Sequence, residues 1–162
     1  MRNQEEIITQ FGNQLRLRVS GICLQAGKLL MIKHRMPNGW LWAPPGGGLQ
    51  FGEEAKTCLK REFKEETNLS VEVGDFLFVN EFLEPPLHAL ELFFRVEIQA
   101  GELQLGSDPE MSQAGQIIKQ VTFLDTAQLM AIPPKERHRL FRQLSRCEDI
   151  LSYRGFYAAN DE

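Results

Sequence analysis

Residues 44–69 read PPGGGLQFGEEAKTCLKREFKEETNL, and this stretch constrains the chain more than any other. Gly46, Gly47 and Gly48 follow two prolines, so the backbone there can approach a partner with no β-carbon in the way. From about residue 53 to 67 glycine and proline are absent, and Ala55, Leu59 and Phe63 fall at every fourth position. That spacing predicts a helix with a narrow apolar stripe. Asn68, which tolerates the left-handed conformation, is placed to end it. On this helix Glu62 and Glu66 are neighbours, with Glu65 one turn from Glu62 on the adjoining edge, so three carboxylates converge. Each like-charge pair costs about 0.2–0.5 kcal/mol. Lys60, Arg61 and Lys64 are interleaved, and Arg61 stands four residues before Glu65 in pairing distance.

Adjacent glutamates on a helix ordinarily mark a solvated face. Behind a glycine loop they suit a divalent cation instead, and an oxygen-only donor set favours Mg²⁺ or Mn²⁺ over zinc, which prefers histidine and cysteine. Mg²⁺ binds through a few carboxylates and keeps positions for water and phosphate oxygens.

The rest of the chain frames this segment. Residues 15–24 alternate apolar and polar, and "QAG" turns them into "KLLMIKH", a pattern that predicts a β-hairpin. "RMPNGW" is loop material. "LSVEVGDFLFVNEFL" and "HALELFFRVEIQ" alternate as strands, with Pro85 and Pro86 between them. "GELQLGSDPEMSQAG" reads as a loop, "QIIKQVTFL" as a strand, and Asp125 as the N-cap of a short helix. From about residue 135 an amphipathic helix is expected, with Leu140, Leu144 and Cys147 on one side and Arg139, Arg142 and Arg146 on another. The order predicts an α+β or layered α/β/α domain rather than a regular βαβ repeat.

The 162 residues, 43% hydrophobic and 25% charged, fit a single domain spanning 1–162. A net charge of -4 gives no global attraction to nucleic acid or an anionic membrane. The N-terminus lacks the apolar core of a secretory signal, and no window approaches a membrane span, so a cytoplasmic protein is expected. Cys23, Cys58 and Cys147 are too scattered for a disulfide framework or a paired metal site.

From Gly47 the pattern runs G-x5-E-x7-R-E-F-x-E-E-x-N-L through Glu53, Arg61, Glu62, Phe63, Glu65, Glu66, Asn68 and Leu69. This resembles the Nudix box, G-x5-E-x7-R-E-U-x-E-E-x-G-U, with Asn68 in place of its last glycine. The resemblance implies the Nudix fold, an α/β/α sandwich with a mixed central sheet. It also implies hydrolysis of a nucleoside diphosphate linked to another moiety, with Mg²⁺ or Mn²⁺. By position, Glu62, Glu65 and Glu66 would be metal ligands with the carbonyl of Gly46, and Arg61 would orient the cluster. Glu53 would play a supporting role, since a regular helix puts it opposite Glu62. The general base in the family is a box glutamate or one on a later loop, for which Glu110 is the candidate here, with Asp108 behind it.

Substrate contacts are less marked. Lys33, His34 and Arg35 end a strand near the glycines and are candidates for phosphate, as Gly47 is for close backbone approach. Trp42, Trp40, Phe82 and Phe94 are candidates for stacking on a base, although core packing is the commoner fate of such rings. In the family a proline sixteen residues beyond the box accompanies ADP-ribose hydrolysis, and Pro85 stands sixteen beyond Leu69. Nucleotide sugars and nucleoside triphosphates stay open. Two other readings are a nucleotide-binding regulatory domain without turnover, against which the intact box counts, and a 5′-end RNA pyrophosphohydrolase using the arginine stripe. That basic helix is alternatively the surface of a homodimer.

Overall fold

The structure is a computed structural model that describes residues 2–106, 109 and 118–160. In chain order the elements are helix α1 (Arg2–Phe11), strands β1 (Gln14–Ile22), β2 (Leu24–Gln25), β3 (Lys28–Met36), β4 (Gly39–Ala43) and β5 (Gly46–Gly48), helix α2 (Ala55–Thr67), strands β6 (Ser70–Glu84), β7 (Leu87–Ala100) and β8 (Ile118–Leu124), helix α3 (Thr126–Ala131), three 3-10 turns, and strand β9 (Gly155–Tyr157). Two sheets result. One is mixed, in the order β5-β1-β7-β6-β9, and in the other β3 pairs with β2, β4 and β8. This is an α+β fold with a mixed sheet, as expected.

Two apolar cores draw on both sheets. Beneath α2, Leu59 and Phe63 pack with Val19, Leu30, Val71 and Val96. On the other side Ile22, Met31, Phe78 and Phe93 pack with Leu140, Phe141, Leu144 and Ile150 of the C-terminal turns. α2 lies so close on β1 that a β-carbon at Gly21 would meet the Phe63 ring at 2.4 Å.

The expected hairpin is smaller than the sequence pattern. β1 pairs in parallel with β7 from Gln14 to Ile22, and β5 occupies its other edge, so no edge is left for β3. Only Leu24 and Gln25 fold back on β3, through Ala26 (φ 50°) and Gly27 (φ 75°), the left-handed pair a tight hairpin turn requires. The faces of β1 are also reversed from simple amphipathicity: Leu15 and Leu17 are exposed at 66% and 40%.

The amphipathic helix expected from about residue 135 is not formed. Pro134–Glu136, Arg139–Phe141 and Cys147–Ser152 are separate 3-10 turns. Arg137 is extended beside Trp42, and His138 donates its backbone N–H to the Trp42 carbonyl at 2.8 Å, which interrupts any helix there. The arginine stripe is dispersed with it: Arg139 donates to Asn80 Oδ1 and to the carbonyl of Tyr157, and Arg146 pairs with Asp149. The surface expected to serve RNA or a homodimer is therefore not a stripe. No helix among the described residues is long and apolar enough to cross a membrane.

Candidate active site

The end of α2 shows why Asn68 replaces glycine. Its φ of 64° is left-handed, its N–H donates to the Lys64 carbonyl, and its Nδ2 donates to the Glu102 carbonyl at 3.0 Å. The following chain closes the remaining helix carbonyls, with Gln104 and Gly106 donating to Thr67 and Glu66.

At the other side of the helix, Glu62 and Glu66 are buried against the glycine strand. Gly46 donates its N–H to Glu66 Oε2 at 3.1 Å. A β-carbon at Gly47 would lie 2.2 Å from Glu62 Cδ and 2.3 Å from its Oε1, so only glycine leaves room for this carboxylate. At Gly46 the same atom would strike the Val19 carbonyl at 2.1 Å.

Glu65 is not buried with them. Arg61 donates through Nη1 to Glu62 Oε1 at 3.0 Å and to Glu65 Oε2 at 3.2 Å. It also holds Glu53 at two points. Because α2 begins only at Ala55, Glu53 is not opposite Glu62 on a helix but folds back onto Arg61. The Arg61 guanidinium holds the Glu53 carboxyl below its ordinary range, and is itself raised chiefly by that bond. Cys58 lies on the apolar side, its thiol pushed up to about 12 by burial and by Glu53, which makes it a poor nucleophile.

Among the described residues no three acidic, histidine or cysteine side chains stand close enough to hold a metal ion by themselves. The arrangement does fit an ion that takes part of its shell from elsewhere. Glu62 and Glu66 stand one turn apart, and their all-oxygen set beside a strand with room for no β-carbon suits a hard cation that completes its shell with water and phosphate oxygens.

Glu62, Glu66 and Gly46, Gly47 and Gly48 line a cavity of about 180 Å³. Its wall also carries Arg16, Arg18, His34, Phe82, Glu91 and His138, and α1 contributes Ile7 and Phe11, the latter beneath the Arg16 guanidinium at 3.8 Å. Glu91 Oε1 accepts from Asn80 Nδ2 at 2.8 Å and lies 3.0 Å from His138 Nε2. His138 Nδ1 accepts the N–H of Leu140, so the ring proton sits on Nε2 and donates to Glu91. Burial pushes the Glu91 carboxyl up, but His138, Arg18 and Asn80 more than offset this and bring it to about 2. Burial and Arg18 lower His34 to about 4, and its Nδ1 lies 3.3 Å from the Leu41 carbonyl.

Of the expected contact residues, Gly47 and Phe82 line this cavity. Lys33 and Arg35 do not, since both lie over the Trp40 ring, and Trp42 and Phe94 are buried in the two cores. Glu110 and Asp108 lie outside the described residues. His34, named with Lys33 and Arg35, does line the cavity, whereas sequence reasoning missed Arg18, Glu91 and His138. The signal for Arg18 was present in "LRLRV", where either alternate face of the strand could have turned inward.

A NUDIX domain matches residues 14–144. An ADP-ribose pyrophosphatase of Methanocaldococcus jannaschii is 33% identical over 98 residues, 59% of this chain and 58% of that relative's length. Among solved structures, a NUDIX hydrolase from Nitrosomonas europaea superposes with a TM-score of 0.67 at 18% identity, covering 85% of this chain and 88% of its own. An ADP-ribose pyrophosphatase from Streptococcus suis superposes with a TM-score of 0.58 at 19% identity, covering 88% and 98%. Those two show a shared fold. With the family match running from β1 to beyond the box and into the C-terminal turns, this chain belongs to the NUDIX family.

Proposed function

We propose that this chain hydrolyses the diphosphate bridge of a nucleoside diphosphate linked to another moiety, using Mg²⁺ or Mn²⁺. One observation carries the reading: Glu62 and Glu66 are buried against a strand of three glycines on the wall of a cavity. The name of the Methanocaldococcus jannaschii relative supports ADP-ribose among the substrates, alongside nucleotide sugars and nucleoside triphosphates.

In this reading Glu62, Glu66 and the Gly46 carbonyl hold the ion, with Glu65 joining when it turns from Arg61. When bound, the ion neutralises the diphosphate and acidifies a water. Gly47 lets the bridge approach the backbone, and Arg61 fixes the glutamates from behind. The base that takes the water's proton is a box glutamate or Glu110. Residues 1–162 act as one domain, which the two cores shared between the sheets support. A cytoplasmic setting accords with three buried, unpaired cysteines.

A screen of monophosphate and phosphate release over ADP-ribose, nucleotide sugars and nucleoside triphosphates, with Mg²⁺ and Mn²⁺, tests this. Turnover of at least one class is expected, falling to background in Glu66→Gln. Nucleotide binding with no turnover would leave a regulatory domain instead.

A further inference from the structure

The cavity wall opposite the facing sheet is organised as a row. Strand registers place Gly48, Arg18, Glu91, Asn80 and Tyr157 side by side across β5, β1, β7, β6 and β9. Residues so aligned share one face of a sheet. Gly48 belongs to the glycine strand against which Glu62 and Glu66 pack, so the row starts at the diphosphate end. Glu91 is two strand spacings away, about 10 Å, which is the scale separating a phosphate from the far edge of its own nucleobase.

The donors and acceptors in this row have a direction. Arg18 comes first and can only donate. Glu91 comes second: Oε1 takes the bonds from Asn80 and His138, and Oε2 is left to the cavity. Asn80 comes third, but its Nδ2 serves Glu91 and its Oδ1 accepts from Arg139 Nε at 2.7 Å, so it closes the row. From the phosphate outward the wall therefore offers a donor and then an acceptor. His34, facing from β3, adds another ring to the same cavity.

Nucleobases divide on this order. Adenine and cytosine present a ring-nitrogen acceptor and then, farthest from the sugar, an amino group. Hypoxanthine, guanine and uracil present a ring N–H and then a carbonyl. Only the first kind matches Arg18 followed by Glu91, while the second would set a carbonyl oxygen against a carboxylate.

Resting on the proposed hydrolysis of nucleoside diphosphate derivatives, we propose that Arg18 and Glu91 select amino-bearing bases, Arg18 donating to the ring nitrogen and Glu91 Oε2 accepting from the exocyclic amine. Asn80 and His138 are positioning residues that fix which carboxylate oxygen faces the base. The mode of reading predicts what an amide would do. In Glu91→Gln the amide oxygen keeps the bonds from Asn80 and His138, and the NH₂ takes the place of Oε2, turning an acceptor into a donor.

The test compares ADP-ribose with its hypoxanthine counterpart, which differs at the 6-position. The unmodified protein is expected to favour adenine by about 10²-fold or more in kcat/KM, because the oxo base leaves a buried acceptor without its donor. In Glu91→Gln the preference should be lost, because Arg18 still suits the adenine ring nitrogen while the new NH₂ suits the hypoxanthine carbonyl. An N6,N6-dimethyl adenine analogue should lose the advantage in the unmodified protein, which tests the proposal even if the variant fails to fold. Titration of AMP against IMP by calorimetry needs no turnover, and so separates base reading from hydrolysis: selective AMP binding without hydrolysis would sink only the activity. Equal handling of the two bases, a preference for hypoxanthine, or no binding of either monophosphate together with equal hydrolysis would overturn the proposal.

Discussion

Arg61 grips Glu53 at two points, Nε to Oε1 at 2.8 Å and Nη2 to Oε2 at 3.1 Å, while its remaining nitrogen reaches Glu62 and Glu65. The planar fork thus ties the loop before α2 to two glutamates on it. A lysine keeps the charge but not the fork. Arg61→Lys is therefore expected to weaken activation by Mg²⁺ about 10- to 100-fold, as loss of an orienting partner does. A metal titration of turnover checks this; an unchanged half-saturation point would show that the fork does not set the site.

The two glycines at the start of β5 separate stability from activity. A β-carbon at Gly46 meets the backbone of β1, which cannot yield without breaking strand pairing. At Gly47 it meets the end of the Glu62 side chain, which can swing away. Gly46→Ala is expected to lower Tm markedly. Gly47→Ala should leave Tm close to that of the parent while turnover falls about 10²-fold, since about 1 Å of misplacement has that effect. Thermal melts with parallel rate assays decide it, and equal loss of Tm in both would contradict the distinction.

At the end of α2, left-handed backbone costs a residue with a β-carbon about 1–2 kcal/mol unless a local bond offsets it. Asn68 supplies that bond to Glu102. Asn68→Ala should destabilise the fold by about 1 kcal/mol, and Asn68→Gly by less. Urea midpoints measure both, and an alanine variant as stable as the parent would contradict the account.

Acid should destabilise the fold in two successive pH windows. His34 is lowered to about 4 from an ordinary value of 6.5, so the unfolded chain takes up its proton first as pH falls. Stability from this group is complete above about 6.5 and is lost as pH drops toward 4. Glu91, lowered to about 2 from 4.5, adds loss in the window below. In urea titrations across pH, His34→Gln should flatten the slope between 6.5 and 4 and leave the lower window intact. An unaltered slope would place the uptake elsewhere.

How far the sequence was legible follows from which forces are local. α2 and its Asn68 terminus, the Asp125 cap, and strands β6, β7 and β8 depend on periodicity and capping, and they appear where expected. The C-terminal helix failed because Arg137 and His138 are pinned to Trp42, a contact 95 or so residues distant that no local pattern encodes. Likewise Arg18, Glu91 and Asn80 are brought side by side only through strand register. The Glu62 and Glu66 side of the cavity was legible because those residues stand on consecutive turns of one helix.

The central claim is that Glu62 and Glu66, buried against the glycine strand, hold the ion at which a diphosphate is cleaved. Mn²⁺ binding followed by electron paramagnetic resonance, in the parent and in Glu62→Gln and Glu66→Gln, tests it most directly. The account predicts a bound ion in the parent that each substitution weakens together with turnover; retained Mn²⁺ affinity and turnover in both variants would contradict it.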